Sequence, residues 1–79
     1  MVNWNDEFVM WMKAAYQYYW LDSSPIPDAV WDFWGKNLKR HWDEVDHPAK
    51  GLVEFENMGS LHYISKAKFL AAFPEFENA

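Results

Sequence analysis

The sequence predicts a mainly α-helical fold in which two antiparallel helices form the body and a C-terminal β-hairpin and a short third helix cover one side. Three observations support this prediction. Apolar residues recur at three- and four-residue spacing through the first half of the chain. Prolines stand where helices are expected to begin or end. Between residues 52 and 64 the spacing changes to alternation, which is typical of strands.

The first helix is expected to begin at an asparagine cap, either Asn3 or Asn5, and to run to about Leu21. The segment Asp22-Ser23-Ser24-Pro25 should end it, because a proline disfavours helical backbone at the residue before it. The apolar spacing predicts a buried face made of Phe8, Trp11, Met12, Ala15, Tyr18 and Tyr19.

The second helix is expected from about Pro27, where a helix start tolerates the missing N–H, to Val45. Pro48 should end it, and the short connection from the first helix favours antiparallel packing. Phe8 of the first helix belongs to the same predicted core. The predicted buried face of the second helix consists of Val30, Trp34, Leu38, Trp42 or His41, and Val45.

Residues 51–74 are expected to hold the hairpin and the third helix. Residues 52–56 and 61–64 alternate, and the turn-forming residues 57–60 separate them. An isolated hairpin is marginal in water, so this one must pack on the helices. Ser65 should cap a helix over Lys66–Phe73, which Pro74 closes, and the tail Glu75–Ala79 is expected to fray.

The composition limits the function. The 79 residues suffice for a single domain, 1–79, and the net charge of −5 makes general nucleic-acid binding unexpected. The absence of cysteine excludes disulfides and thiolate catalysis, and it is compatible with the cytoplasm, where we expect the protein to act. We expect neither a signal peptide nor a membrane association, because no apolar stretch approaches about 18 residues.

The sequence also indicates no catalytic centre. His41, His47 and His62 are too scattered to suggest a metal site, and there is no glycine-rich phosphate loop. We therefore expect a protein that is not an enzyme.

One stripe of the second helix carries unusual chemistry. Asp28, Asp32 and Gly35 stand at positions i, i+4 and i+7, and Trp31 borders them. Gly35 costs up to about 1 kcal/mol relative to alanine in a helix. Its missing side chain is expected to admit a ligand or a neighbouring backbone. The alternative is a solvated acidic face in which Asp28 complements the helix dipole.

Two segments of this region match a known motif. Residues 18–22 read YYWLD, and residues 26–32 read IPDAVWD. They resemble the Y-[HY]-x-x-D and D-A-x-[YF]-D segments of the N-terminal subdomain (Ia) of NAD-dependent DNA ligases. His47-Pro48 is similar to an H-P pair that follows the second helix in those ligases, although here it lies about two residues later. The resemblance covers roughly residues 12–50.

The resemblance implies a binding site for the nicotinamide mononucleotide half of NAD. Tyr18 and Tyr19 would contact the ring, and Trp31 would take the stacking role that tyrosine usually holds in the ligases. Asp28 and Asp32 would be the polar contacts. The chain lacks the K-x-D-G motif of the adenylating domain, so the resemblance is to a short, stand-alone, ligase-like accessory protein of the kind found in bacteriophages.

Two hypotheses follow for the function. In the first, the chain is a non-catalytic module that recognises nicotinamide mononucleotide or NAD. In the second, it is an acidic protein–protein interaction module whose aromatic and acidic face docks a partner, such as a host nucleic-acid enzyme that it inhibits. An open cleft between Tyr19 and Trp31 would favour the ligand, and a filled cleft with protruding aromatic residues would favour the protein partner.

Overall fold

A computed structural model describes residues 2–23 and 25–78 of the chain. Within this part of the chain there are three α-helices and four short 3₁₀ helices, and there is no β-strand. The α-helices are α1 (Trp4–Trp20), α2 (Asp28–Arg40) and α3 (Lys66–Ala72), and the 3₁₀ helices are Trp42–Glu44, Pro48–Leu52, Phe55–Asn57 and Pro74–Asn78. The prediction of a mainly helical fold is correct, and the prediction of a C-terminal β-hairpin is wrong.

Local signals set the two ends of α1. The side-chain oxygen of Asn3 accepts hydrogen bonds from the backbone N–H groups of Asn5 and Asp6, which makes Asn3 the cap. At the other end Asp22 adopts a left-handed conformation with φ of 51°. The backbone N–H of Ser23 then returns to the carbonyl of Gln17 at 2.9 Å. Ser24, part of the predicted stop signal, lies outside the described residues.

α1 and α2 are antiparallel, as predicted. Near the start of α1, the Trp4 ring stacks on His41 just beyond the end of α2, with 4.1 Å between the ring centroids. Further along α1, the Trp11 ring lies against Gly35 in the middle of α2. The order of the contacting residues therefore reverses from one helix to the other.

α2 ends at Arg40, five residues before the predicted end at Val45. Beyond α2, the Asn5 side chain binds the backbone of Asp46 twice. Its amide nitrogen donates to the Asp46 carbonyl at 3.0 Å, and its amide oxygen accepts from the Asp46 N–H at 2.6 Å. This bridge ties residue 46 to α1, and no sequence pattern within α2 indicates it.

One continuous core fills the space between α1, α2 and the C-terminal third. Phe8, Trp11 and Leu38 are fully buried, as predicted. The other core residues are Met12, Ala15, Tyr16, Val45, Ala49, Val53, Met58, Leu61, Ile64, Phe69, Phe73 and Phe76. A wide apolar face of α1 and much of the C-terminal third thus share one interior.

The predicted helix faces were partly wrong. Val30 is 50% exposed and Tyr18 is 48% exposed, so neither belongs to the core. Trp34 and Trp42 are only partly buried at the edge of the core. Tyr16, which the predicted face of α1 omitted, is buried against Phe69 and Phe76. The buried face of α1 is therefore wider than the predicted face.

Burial in the region of the predicted hairpin does not alternate as it would along a half-buried strand. Val53 is buried, whereas Phe55, two residues later on the same face of a strand, is 44% exposed. The next buried residues, Met58, Leu61 and Ile64, recur every third residue, which fits a chain of tight turns rather than a strand.

The two predicted strand segments still meet, but through a side chain. The Tyr63 hydroxyl accepts a hydrogen bond from the Glu54 N–H at 3.0 Å and donates to the Asn57 carbonyl at 3.4 Å. One phenol thus supplies the link that a backbone ladder would have made. Burial of this hydroxyl raises its pKa, and the hydrogen bond from the Glu54 N–H opposes that rise.

The prediction of a third helix is confirmed, and the prediction that the C-terminal tail frays is wrong. The Ser65 hydroxyl caps α3 by accepting from the Lys68 N–H at 3.2 Å. After α3, residues Pro74–Asn78 form a 3₁₀ helix whose Phe76 is 1% exposed. The Phe76 ring stacks on Phe73 with 4.5 Å between centroids, so an apolar anchor holds the C-terminal turn. Ala79 lies outside the described residues.

We predict that Gly35→Ala destabilises the fold by about 1 kcal/mol despite the better helix propensity of alanine. A Cβ at position 35 would lie 3.2 Å from the Trp11 ring. Trp11 is fully buried and cannot move aside easily. Urea denaturation measures the change in the free energy of unfolding.

Gly51→Ala is the matched control, because a Cβ there meets nothing within 4 Å. It should leave the stability unchanged or raise it slightly. A Gly35→Ala protein as stable as Gly51→Ala would show that Trp11 does not pack tightly on α2.

We also predict that the protein loses stability above about pH 10 in a way that Tyr63→Phe reduces. The pKa of Tyr63 is raised by burial, so the folded chain keeps this proton at a pH where the unfolded chain has lost it. The stabilisation from Tyr63 is complete below the pKa of this residue in the unfolded chain. It is lost as the pH rises through the pKa of Tyr63 in the folded chain. Melting temperatures of both proteins between pH 8 and 11 test this, and parallel curves would contradict it.

Candidate functional site

An open cleft of about 200 Å³ lies where the end of α1 meets the start of α2. The last turn of α1 lies beside the first turns of α2. Gly59, from the C-terminal third, forms part of the wall. The lining residues are Ala14, Ala15, Tyr18, Tyr19, Pro25, Ile26, Asp28, Trp31, Asp32 and Gly59.

The five residues that the sequence predicts as a site all line this cleft. Tyr18 and Tyr19 come from α1, and Asp28, Trp31 and Asp32 come from α2. Five other contributors were missed, namely Ala14, Ala15, Pro25, Ile26 and Gly59. Ala14 and Ala15 leave space beside the larger rings. Their small size was the only feature of the sequence that could have indicated their place in the cleft lining.

Trp31 is held in place by a reciprocal pair with Trp11. The two indole rings stack with 4.6 Å between centroids and 9° between planes. The Trp31 Nε1–H donates to the Trp11 carbonyl at 3.1 Å, and the Trp11 Nε1–H donates to the Trp31 carbonyl at 3.3 Å. One face of Trp31 is therefore covered, and a ligand in the cleft could stack only on the opposite face.

Tyr19 is fixed from its hydroxyl end. This hydroxyl accepts from the Leu61 N–H at 3.3 Å and shares a hydrogen bond of 3.2 Å with the Ser60 hydroxyl. The Ser60 oxygen is also 2.7 Å from Nδ1 of His62. Tyr18 packs edge-on against the Tyr19 ring, with 5.0 Å between centroids. Tyr19 is thus anchored to the C-terminal third, whereas Tyr18 is half-exposed and packs on the Tyr19 ring.

The cleft is acidic. Asp28 and Asp32 are exposed, and no lysine or arginine is among the lining residues. In residues 2–23 and 25–78 the only close contact between a carboxylate and a basic side chain joins Glu44 to the His41 ring. In the described chain neither cleft carboxylate makes a direct ion pair with a lysine or arginine, although Asp32 also borders the neighbouring groove that contains Lys36 and Lys39. The two negative charges favour a positively charged ligand.

Gly35 does not open the cleft, contrary to the expectation that its missing side chain admits a ligand or a backbone. The space at Gly35 is taken by the Trp11 ring. Gly35 instead lines a neighbouring groove with Lys36 and Lys39, which shares Asp32 and Gly59 with the cleft. Its contribution to the site is indirect, because it lets Trp11 reach Trp31.

Each of the three histidines contacts another side chain, and the partner of His62 is the Ser60 hydroxyl described above. Nδ1 of His47 accepts from the Ala49 N–H at 3.0 Å, and the ring stacks on Phe73. The His47-Pro48 pair thus caps a 3₁₀ helix and does not reach the cleft. His41 stacks on Trp4, and no group of residues that could hold a metal ion occurs in the described part of the chain.

Comparisons with protein-family models, curated proteins and solved structures find no match for this chain. Among the described residues, no helix combines the length and the apolar character that crossing a membrane requires.

We predict that Trp31→Phe destabilises the protein by about 1–2 kcal/mol. Phenylalanine keeps an aromatic ring but loses the N–H that donates to Trp11 and leaves a small void. Trp20→Phe is the control, because Trp20 is 38% exposed. Urea denaturation should show little change for Trp20→Phe, and equal stability of the two variants would contradict the structural role of Trp31.

Proposed function

We propose that this chain is a non-catalytic module that binds the nicotinamide end of nicotinamide mononucleotide or NAD, and that it derives from the N-terminal subdomain of an NAD-dependent DNA ligase. The observation that carries the proposal is the cleft itself. Five residues from two helices, chosen by their resemblance to the ligase motif, surround one open space. A solvated acidic face would not require the aromatic residues to converge with the aspartates.

The chemistry of the lining suits the nicotinamide ring. Oxidised nicotinamide is a flat cation, and the face of a tryptophan attracts a cation more strongly than other aromatic faces do. Trp31 has one face covered by Trp11, so the ring would stack on the other. Asp28 and Asp32 would offset the positive charge of the ring and accept hydrogen bonds from the ribose hydroxyls.

The size of the cleft limits how much of the ligand it can enclose. Pockets that enclose a drug-sized ligand measure roughly 300–1,000 Å³. At about 200 Å³, this cleft has room for the ring and part of the ribose. The adenylate half of NAD would lie outside, so NAD and nicotinamide mononucleotide should bind with similar affinity. Half of a divided site binds weakly, and we expect a millimolar Kd, or about −4 kcal/mol.

A docking surface for a protein is the second candidate, and one observation favours it. Phe33 is 65% exposed and Val30 is 50% exposed on α2, outside the cleft lining. Exposed apolar side chains next to acidic residues suit a partner with a basic rim. This candidate depends on Phe33 and does not require the cleft.

We predict that nicotinamide mononucleotide and NAD quench the tryptophan fluorescence and shift the amide resonances of Trp31 and Asp32, with millimolar affinity for both. Asp32→Asn should weaken this binding several-fold through loss of charge and should change stability by less than about 0.5 kcal/mol. Asp43→Asn is the matched control, because it makes the same chemical change at an exposed residue outside the cleft.

Substitutions distinguish nucleotide binding in the cleft from protein docking through Phe33. Phe33→Ser should leave nucleotide binding unchanged if the cleft is the site. Unchanged spectra at Trp31 and Asp32 in millimolar nucleotide would reject the nucleotide proposal and leave protein docking as the better account.

A further inference from the structure

We propose that Ser60 is a nucleophilic serine that takes an acyl group from an activated ester, with His62 as the general base. Ser60 and His62 lie outside the lining of the cleft, so this inference does not depend on the proposed function. The reaction modifies the chain itself once, and it is therefore compatible with a module that is not an enzyme.

The first argument is a chain of hydrogen bonds that ends at an imidazole. The Leu61 N–H donates to the Tyr19 hydroxyl at 3.3 Å, which leaves the Tyr19 proton to donate to the Ser60 oxygen at 3.2 Å. The Ser60 proton is then directed to Nδ1 of His62, which lies 2.7 Å from the Ser60 oxygen. A hydroxyl held within hydrogen-bond reach of a basic side chain is the arrangement that activates a serine nucleophile.

The second argument is access. Ser60 and His62 line an open groove of about 520 Å³, and His62 is exposed. The residue before Ser60 is Gly59, where a Cβ would meet nothing within 4 Å, so there is free space beside the nucleophile. The other residues that line the groove are Glu54, Glu56, Asn57 and Tyr63. A small ester can therefore reach the Ser60 hydroxyl without a change in the fold.

The chemical step is an acyl transfer. The Ser60 oxygen attacks the carbonyl carbon of the ester, and its proton passes to Nδ1 of His62. The negative charge moves to the carbonyl oxygen, and the Tyr19 hydroxyl is a fixed donor 3.2 Å from the attacking oxygen. The bond from the carbonyl carbon to the leaving oxygen then breaks, and the leaving group departs as an alcohol with the proton from His62. The products are an ester of Ser60 and the free alcohol.

The geometry also limits the class of acyl donor. Tyr19 supplies one hydroxyl to the developing charge, whereas efficient acyl-transfer sites aim several donors at it. The step is therefore expected with aryl esters, whose leaving groups are stable anions, and not with amides or simple alkyl esters.

The test is acetylation of the intact chain by 4-nitrophenyl acetate. Release of 4-nitrophenolate gives the rate, and mass spectrometry of the digested protein locates the acetyl group. Ser65 is the internal reference, because it is an exposed serine whose hydroxyl accepts from the Lys68 N–H and has no imidazole partner in the described part of the chain. We expect Ser60 to be acetylated at least about tenfold faster than Ser65.

The histidines supply the matched variants. His62→Gln removes the base at an exposed position and should slow acetylation of Ser60 by at least about tenfold. His41→Gln is the control, because His41 lies outside the groove and bonds to Glu44, and it should leave the rate at Ser60 unchanged. Circular dichroism verifies that both variants keep the helical fold.

An acetyl group on Ser60 whose formation is slowed by His62→Gln and not by His41→Gln would support the proposal. Equal acetylation of Ser60 and Ser65, or an unchanged rate at Ser60 in His62→Gln, would overturn it. Release of 4-nitrophenolate that Ser60→Ala leaves unchanged would also overturn it, because a histidine or lysine would then be the nucleophile. Nucleotide binding in the cleft stands or falls separately from each of these results.

Discussion

The reciprocal pair of Trp11 and Trp31 is the interaction on which the rest of this structure depends. Each indole donates to the backbone carbonyl of the other residue, and the two rings stack between α1 and α2. Gly35 makes the pair possible, because any side chain there would crowd the Trp11 ring. The pair joins α1 to α2, and Trp31 of the pair lines the cleft together with Tyr19 and Asp28.

Trp31 belongs both to the packing of the two helices and to the candidate site. Trp31 gives one face to the packing of the helices and would give the other to a ligand. A domain of this size buries only roughly 60% of its unfolded surface, so it has little stability to spare. The aspartates are different, because Asp28 and Asp32 are exposed and can be changed without disturbing the core. Charge at the cleft can therefore be varied independently of the fold, whereas the stacking surface cannot.

Features governed by neighbouring residues in the chain could be predicted from the sequence. The caps at Asn3 and Ser65 follow from local spacing, and the five residues that the sequence singled out line one cleft. Features governed by distant partners could not. The chain that follows α2 is held by Asn5, which is 41 residues from its partner Asp46. The predicted hairpin failed because a five-residue alternation also suits a series of turns, and here Tyr63 supplies the cross-links that decide between them.

The most direct test of this account is the hydrogen exchange of the six indole N–H groups, measured by NMR on the unliganded protein. Only the Trp11 and Trp31 indoles donate to a hydrogen-bond partner within the described part of the chain. The account predicts two slowly exchanging indole protons, assigned to these residues and close to each other in space. The other four tryptophans, Trp4, Trp20, Trp34 and Trp42, should exchange fast and serve as internal references. Fast exchange at all six, or protection at other tryptophans only, would contradict it.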